Sequence, residues 1–128
     1  MNTARNPKTV HPPVGLYSHQ VEVTGSARWV AIAGQVGRTP DGRVPADPID
    51  QISLALENVR RNLEAAGMVV TDIVKWNWYL VGDVDPAARR KVTAAWLGGH
   101  EPASTLVYVA RLAAPEYRVE VEAWACAG

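Results

Sequence analysis

Twice in this chain an aspartate is followed by a proline, at Asp47-Pro48 and Asp85-Pro86, and each pair opens a run with apolar side chains at helical spacing. An aspartate carboxylate can accept the free N–H groups of a first helical turn, and proline suits that turn because its own N–H is not needed there. After the first pair, Ile52, Ala55, Leu56, Val59, Leu63 and Ala66 make one stripe, with Glu57, Arg60, Arg61 and Glu64 facing water and Asp50 placed for the helix dipole. Gly67 ends that helix. After the second pair, Ala88, Val92, Ala95 and Trp96 make a shorter stripe that stops at Gly98-Gly99. Each helix therefore has a single apolar face suited to lie across a sheet.

The remaining chain reads mostly as strands. Residues 1–12, up to His11-Pro12-Pro13, form an extended N-terminal arm. Leu16 to Val23 and Arg28 to Ala33 make a hairpin about Thr24-Gly25-Ser26. The second of these strands is almost wholly apolar, as expected of a strand covered on both faces, and it ends at Gly34-Gln35. Residues 37–48 are a loop around Pro40-Asp41-Gly42. Ile73 to Val81 sets Trp76, Trp78 and Leu80 against Lys75, Asn77 and Tyr79. Two last strands, Ser104 to Leu112 and Tyr117 to Ala125, are joined through Ala113-Ala114-Pro115-Glu116. The order is β-β-α-β-α-β-β, an α+β domain with two helices on one face of a mixed sheet.

With 128 residues the chain suits one domain, 1–128. Lys and Arg total 13, as do Asp and Glu, which removes the cationic excess that nucleic-acid binding relies on. No apolar stretch is long enough for a bilayer and the first residues lack a signal-peptide core, so no membrane partner and a cytoplasmic setting are expected. Cys126 is the single cysteine, which rules out an intrachain disulfide, and His11, His19 and His100 show no metal-ligand spacing. Five tryptophans and no phenylalanine make indole the main large packing unit, for core or interface. A tryptophan near a ligand cleft would favour a flat, apolar or aromatic ligand. The sheet face away from the helices keeps apolar side chains that so small a chain cannot cover, which points to self-association.

Six fragments carry a resemblance: Gly15-Leu16-Tyr17-Ser18, Ala33-Gly34-Gln35, Ala55-Leu56-Glu57-Asn58-Val59, Leu63-Glu64-Ala65-Ala66-Gly67, Val109-Ala110-Arg111-Leu112 and Val119-Glu120-Val121-Glu122-Ala123. In this order and spacing, from about Pro13 to Ala125, the chain resembles the RidA/YjgF family. The resemblance implies a chorismate-mutase-like subunit, a homotrimer with small-molecule clefts between subunits, and hydrolysis of enamines and imines to 2-keto acids and ammonia without metal or organic cofactor. Tyr17 would line the cleft, Glu120 would position water, and Gly34 would bring its backbone to the ligand.

The same comparison exposes three departures. The family's carboxylate-binding arginine lies in Pro-Ala-Arg-Ser, whereas this chain has Pro102-Ala103-Ser104-Thr105. Ala33 replaces a serine, and Leu106 replaces a frequent cysteine. Arg90 on the second helix is a replacement cation for the pocket. Arg111 suits it less, since its strand position points to the other sheet face. Arg118 either pairs with Glu120 or reaches solvent. Three functions stay open: hydrolytic deamination or an altered reaction on a bulkier substrate, a noncatalytic ligand-binding or interaction trimer, and the endoribonuclease activity attached to L-PSP-like members of the family.

Overall fold

In the computed structural model, which describes residues 1–128, the strands are β1 (Asn2–Arg5), β2 (Gln20–Val23), β3 (Arg28–Val36), β4 (Ile73–Leu80), β5 (Ala103–Tyr108) and β6 (Val119–Ala127). The helices are α1 (Pro48–Ala65) and α2 (Pro86–Leu97). Both start where the Asp-Pro pairs place them: the Asp47 side chain accepts from the Ile49 N–H at 2.8 Å, and Asp85 from that of Ala87 at 3.1 Å. Gly98, at φ 59°, closes α2 in the left-handed conformation that favours glycine.

The main sheet has the order β3-β6-β4-β5, with β6 antiparallel to both neighbours and β4 parallel to β5. Helix α2 is thus the crossover between adjacent parallel strands, and α1 carries the chain from β3 over β6 to β4. Both helices cover one face. Ile52, Ala55, Leu56, Val59 and Leu63 of α1 meet Ile32, Trp76, Trp78, Leu80, Val119, Val121 and Ala123 there, and all are buried. On α2 the most buried side chains are Thr93 and Leu97, while Ala95 is exposed. The buried side of α2 is rotated from the expected stripe because Arg89 and Thr93, not Ala95, face the sheet.

Four expectations are corrected. The N-terminal arm is extended, but Asn2–Arg5 pairs antiparallel with β2, and the Met1 amino group donates to the Thr24 carbonyl. The expected hairpin between β2 and β3 is absent, because β2 pairs with β1 and β3 pairs with β6. Strand β3 is covered on one face only: Trp29 is 55% exposed and Ala31 and Ala33 are exposed. Strand β5 stops at Tyr108, short of Leu112, since β4 ends opposite it at Leu80. No helix is long and apolar enough to cross a membrane.

Two amides tie this frame together. Buried Gln51 donates to the carbonyls of Pro45 (2.8 Å) and Glu116 (2.9 Å) and accepts from the Arg118 N–H (2.8 Å). Asn58 donates to the carbonyls of Val36 (3.0 Å) and Arg38 (3.1 Å), latching the exit of β3 to α1.

Candidate functional site

A cavity of about 400 Å³ lies between α2, the β4–β5 pair and the Val14–Tyr17 segment. The parallel register sets Ser104 beside Trp76 and Leu106 beside Trp78, so these four side chains share the helix-facing side of the sheet. Arg89, Arg90 and Thr93 form the wall from α2. Tyr17 closes another side. Its loop is held against β5 by the Ser18 N–H donating to the Pro102 carbonyl (3.1 Å) and the Ser18 hydroxyl donating to that of Glu101 (2.6 Å). The Tyr17 hydroxyl accepts from the Val14 N–H at 3.2 Å, which fixes the ring within its own loop.

Tyr17, Arg90, Ser104 and Leu106 are therefore brought together as the sequence suggests. Arg89 and the tryptophan pair were missed. The signal was present, since Arg89 lies one helical turn before Thr93 and so on the same face of α2. Arg89 is half-buried, its Nε has no hydrogen-bond partner, and burial holds its pKa below the usual arginine value. Arg90 is exposed at the cavity's edge.

Ala33, Gly34 and Glu120 form a second group that does not line this cavity. The pairing of β3 with β6 shifts register between Ile32, opposite Ala123, and Gln35, opposite Val121. Ala33 and Gly34 together thus stand against Glu122, as in a β-bulge, a distortion that turns backbone groups out of the ladder. The Glu120 carboxylate fills the space beside Gly34, where a Cβ would come within 2.1 Å of Glu120 Oε2.

Neither alternative for Arg118 holds: it turns back to donate to the carbonyls of Val81 (2.8 Å) and Asp83 (3.0 Å). Arg111 lies exposed beyond the end of β5. Glu122 is the carboxylate with partners on this face. It accepts from the Tyr79 hydroxyl at 2.6 Å and from Asn77 Nδ2 at 2.9 Å, and the Tyr79 bond, then the Asn77 bond, holds its pKa below the ordinary value. The same bond raises the pKa of Tyr79.

The family model described as Endoribonuclease L-PSP matches residues 8–127. The chain belongs to this family. Its relatives in it include the 2-iminobutanoate/2-iminopropanoate deaminase of Escherichia coli K12, 34% identical over 114 residues that cover 86% of each chain. Among solved structures, the Rid-family protein YyfB from Yersinia pestis superposes with a TM-score of 0.88 at 32% identity, covering 98% of both chains. Escherichia coli TdcF with bound serine gives a TM-score of 0.71 at 33% identity, covering 98% of this chain and 96% of that one. The α+β architecture, with two helices on one face of a mixed sheet, is thus the Rid fold. Ser104 stands on the cavity floor beside the indole of Trp76.

Proposed function

We propose that the protein is a hydrolytic deaminase of enamines and imines derived from amino acids, working in clefts between the subunits of a homotrimer. One observation carries this reading: the residues suited to the chemistry occur as two separate groups on one chain. Tyr17, Ser104, Leu106 and Arg90 line the cavity, and Ala33, Gly34 and Glu120 sit together on the β3–β6 pair. A cyclic assembly would bring the first group of each subunit to the second group of the next. The open sheet face supports association, since Trp29 and Trp124 are 55% and 48% exposed there.

In such a cleft Glu120 takes a proton from water as its oxygen attacks the imine carbon, while the imine nitrogen gains a proton. The backbone beside Gly34 polarises the substrate. The carbinolamine then breaks its C–N bond, releasing ammonia and leaving a 2-keto acid. The name of the Escherichia coli deaminase supports the reaction class, and TdcF with serine supports a small amino-acid-like ligand. A bulkier substrate is favoured by one feature, the paired tryptophans of the floor. The RNA-cleaving reading has less support, because 13 basic and 13 acidic residues leave no excess charge for a phosphate backbone.

The test is release of ammonia and keto acid from freshly generated 2-aminoacrylate and from larger 2-imino acids. Wild-type turnover above buffer is expected for at least one of them; rates equal to buffer for all would remove the deaminase reading.

A further inference from the structure

The cavity is rich in donors and has no carboxylate among its lining side chains. Two guanidinium groups border it, Arg89 and Arg90, and neither forms an ion pair. Two N–H groups on residues that line it are buried without an acceptor: Arg89 Nε and the indole Nε1 of Trp76, a residue only 1% exposed. Buried donors of this kind normally have partners, because an N–H withdrawn from water and left unpaired is costly. Guanidinium groups at one cavity with no acidic side chain in its lining suit an anionic acceptor with more than one oxygen.

The floor beneath is aromatic but presents only edges, since Trp76 and Trp78 are 1% and 2% exposed. Trp76 meets Trp78 edge-on at 5.3 Å and 89°, and stacks on Trp96 at 5.9 Å and 17°. Arg60 lies over the Trp96 ring at 5.5 Å, so the stack is held from the α1 side as well. Leu106 continues this apolar surface. The space of about 400 Å³ falls in the range that accommodates ligands much larger than a three-carbon acid.

We propose that Arg89 holds the substrate's carboxylate, replacing an arginine at position 104, and that the apolar lining of Leu16, Leu106 and the edges of Trp76 and Trp78 selects 2-imino acids with larger apolar side chains. The assignment rests on the deaminase reading for the word imino, but the receptor itself stands on the cavity. It differs from the sequence reading, which put the replacement cation at Arg90: that side chain is exposed, whereas the neighbouring Arg89 is half-buried. A guanidinium already withdrawn from water gains more from a carboxylate than one that water serves.

The test is calorimetric binding of two stable keto acids, phenylpyruvate and 2-oxobutanoate, and of methyl phenylpyruvate, which lacks the charge. Wild type should bind phenylpyruvate about tenfold or more tighter than 2-oxobutanoate. Arg89→Met should weaken phenylpyruvate about ten- to hundredfold and leave the ester unchanged. Arg89→Lys should fall between, Arg90→Met should weaken acid binding less than Arg89→Met does, and Ser104→Arg should restore acid binding to the Arg89→Met protein. Equal loss for acid and ester, no loss in Arg89→Met, a loss in Arg90→Met as large as that in Arg89→Met, or no keto-acid binding by wild type would each overturn the assignment. Ammonia release, measured separately, keeps the two ideas apart. Turnover that survives Arg89→Met with unchanged KM discards Arg89 and keeps the deaminase. Arg89-dependent acid binding in a protein that never speeds imine hydrolysis keeps the receptor and discards the deaminase.

Discussion

Gly34 and Gly37 lie close together in sequence, and adding a methyl group to each should have opposite consequences. At Gly34 the new Cβ would meet the end of a movable side chain, the Glu120 carboxylate, at 2.1 Å. Gly34→Ala should therefore swing Glu120 aside and lower ammonia release about a hundredfold while the melting temperature barely moves. At Gly37 the Cβ would meet Gln51 backbone at 2.5 Å, and backbone inside α1 cannot step away. Gly37→Ala should cost about 1–3 kcal/mol, read by chemical denaturation. The sequence alone could align Gly34 and Glu120 with a family pattern. It could not show that they touch, because that contact depends on a bulge in the β3–β6 ladder, far apart along the chain. Arg89 escaped notice for a different reason: beside Arg90 and Lys91 it reads as solvated charge, and only the rotation of α2 against the sheet buries it.

At the level of elements, the two helices and strands β4 and β6 were legible because their signals are local. Asp-Pro starts, a glycine stop and strict alternation each lie within one turn or one strand. The strands at the start of the chain were not. A hairpin between β2 and β3 looks favourable around Gly25, but β2 takes the chain's own N-terminal residues and β3 takes β6, choices set by partners distant in sequence. The same long-range ties give two predictions. Gln51→Ala removes three buried hydrogen bonds that join α1 to the loop before it and to the entry of β6, and should destabilise by about 2–3 kcal/mol in denaturant titration. Glu122, bound by Tyr79 and Asn77, has a lowered pKa in the folded state. Its contribution is present above the ordinary carboxylate pKa and is lost as pH falls through the lower folded value. Tyr79→Phe should accordingly flatten the acid side of the stability–pH curve, measured by melting temperature, without changing assembly.

For the whole molecule, the decisive feature is a sheet with one face covered by helices and the other open. That open face mixes Lys75, Asn77, Tyr79, Glu120 and Glu122 with the exposed indoles of Trp29 and Trp124. Sequence patterning signalled this surplus of apolar surface and read β3 as covered on both faces, whereas within one chain only one of its faces is covered. If neighbouring subunits cover that face, Trp29→Lys combined with Trp124→Lys should shift the protein to monomers in sedimentation velocity, with helix content retained. Monomers of this kind should also lose turnover, since each would hold two unmatched groups of site residues.

The most direct test of a site shared between subunits is complementation. Glu120→Gln and Tyr17→Ala damage different groups, so each variant alone should be nearly inactive. Co-expressed in equal amounts and purified as mixed trimers, they should regain about a third of wild-type ammonia release, because in every trimer that holds both chains one of the three clefts draws both intact halves from neighbouring chains. Activity no higher than that of the two separate variants, in trimers shown to contain both chains, would contradict the shared site.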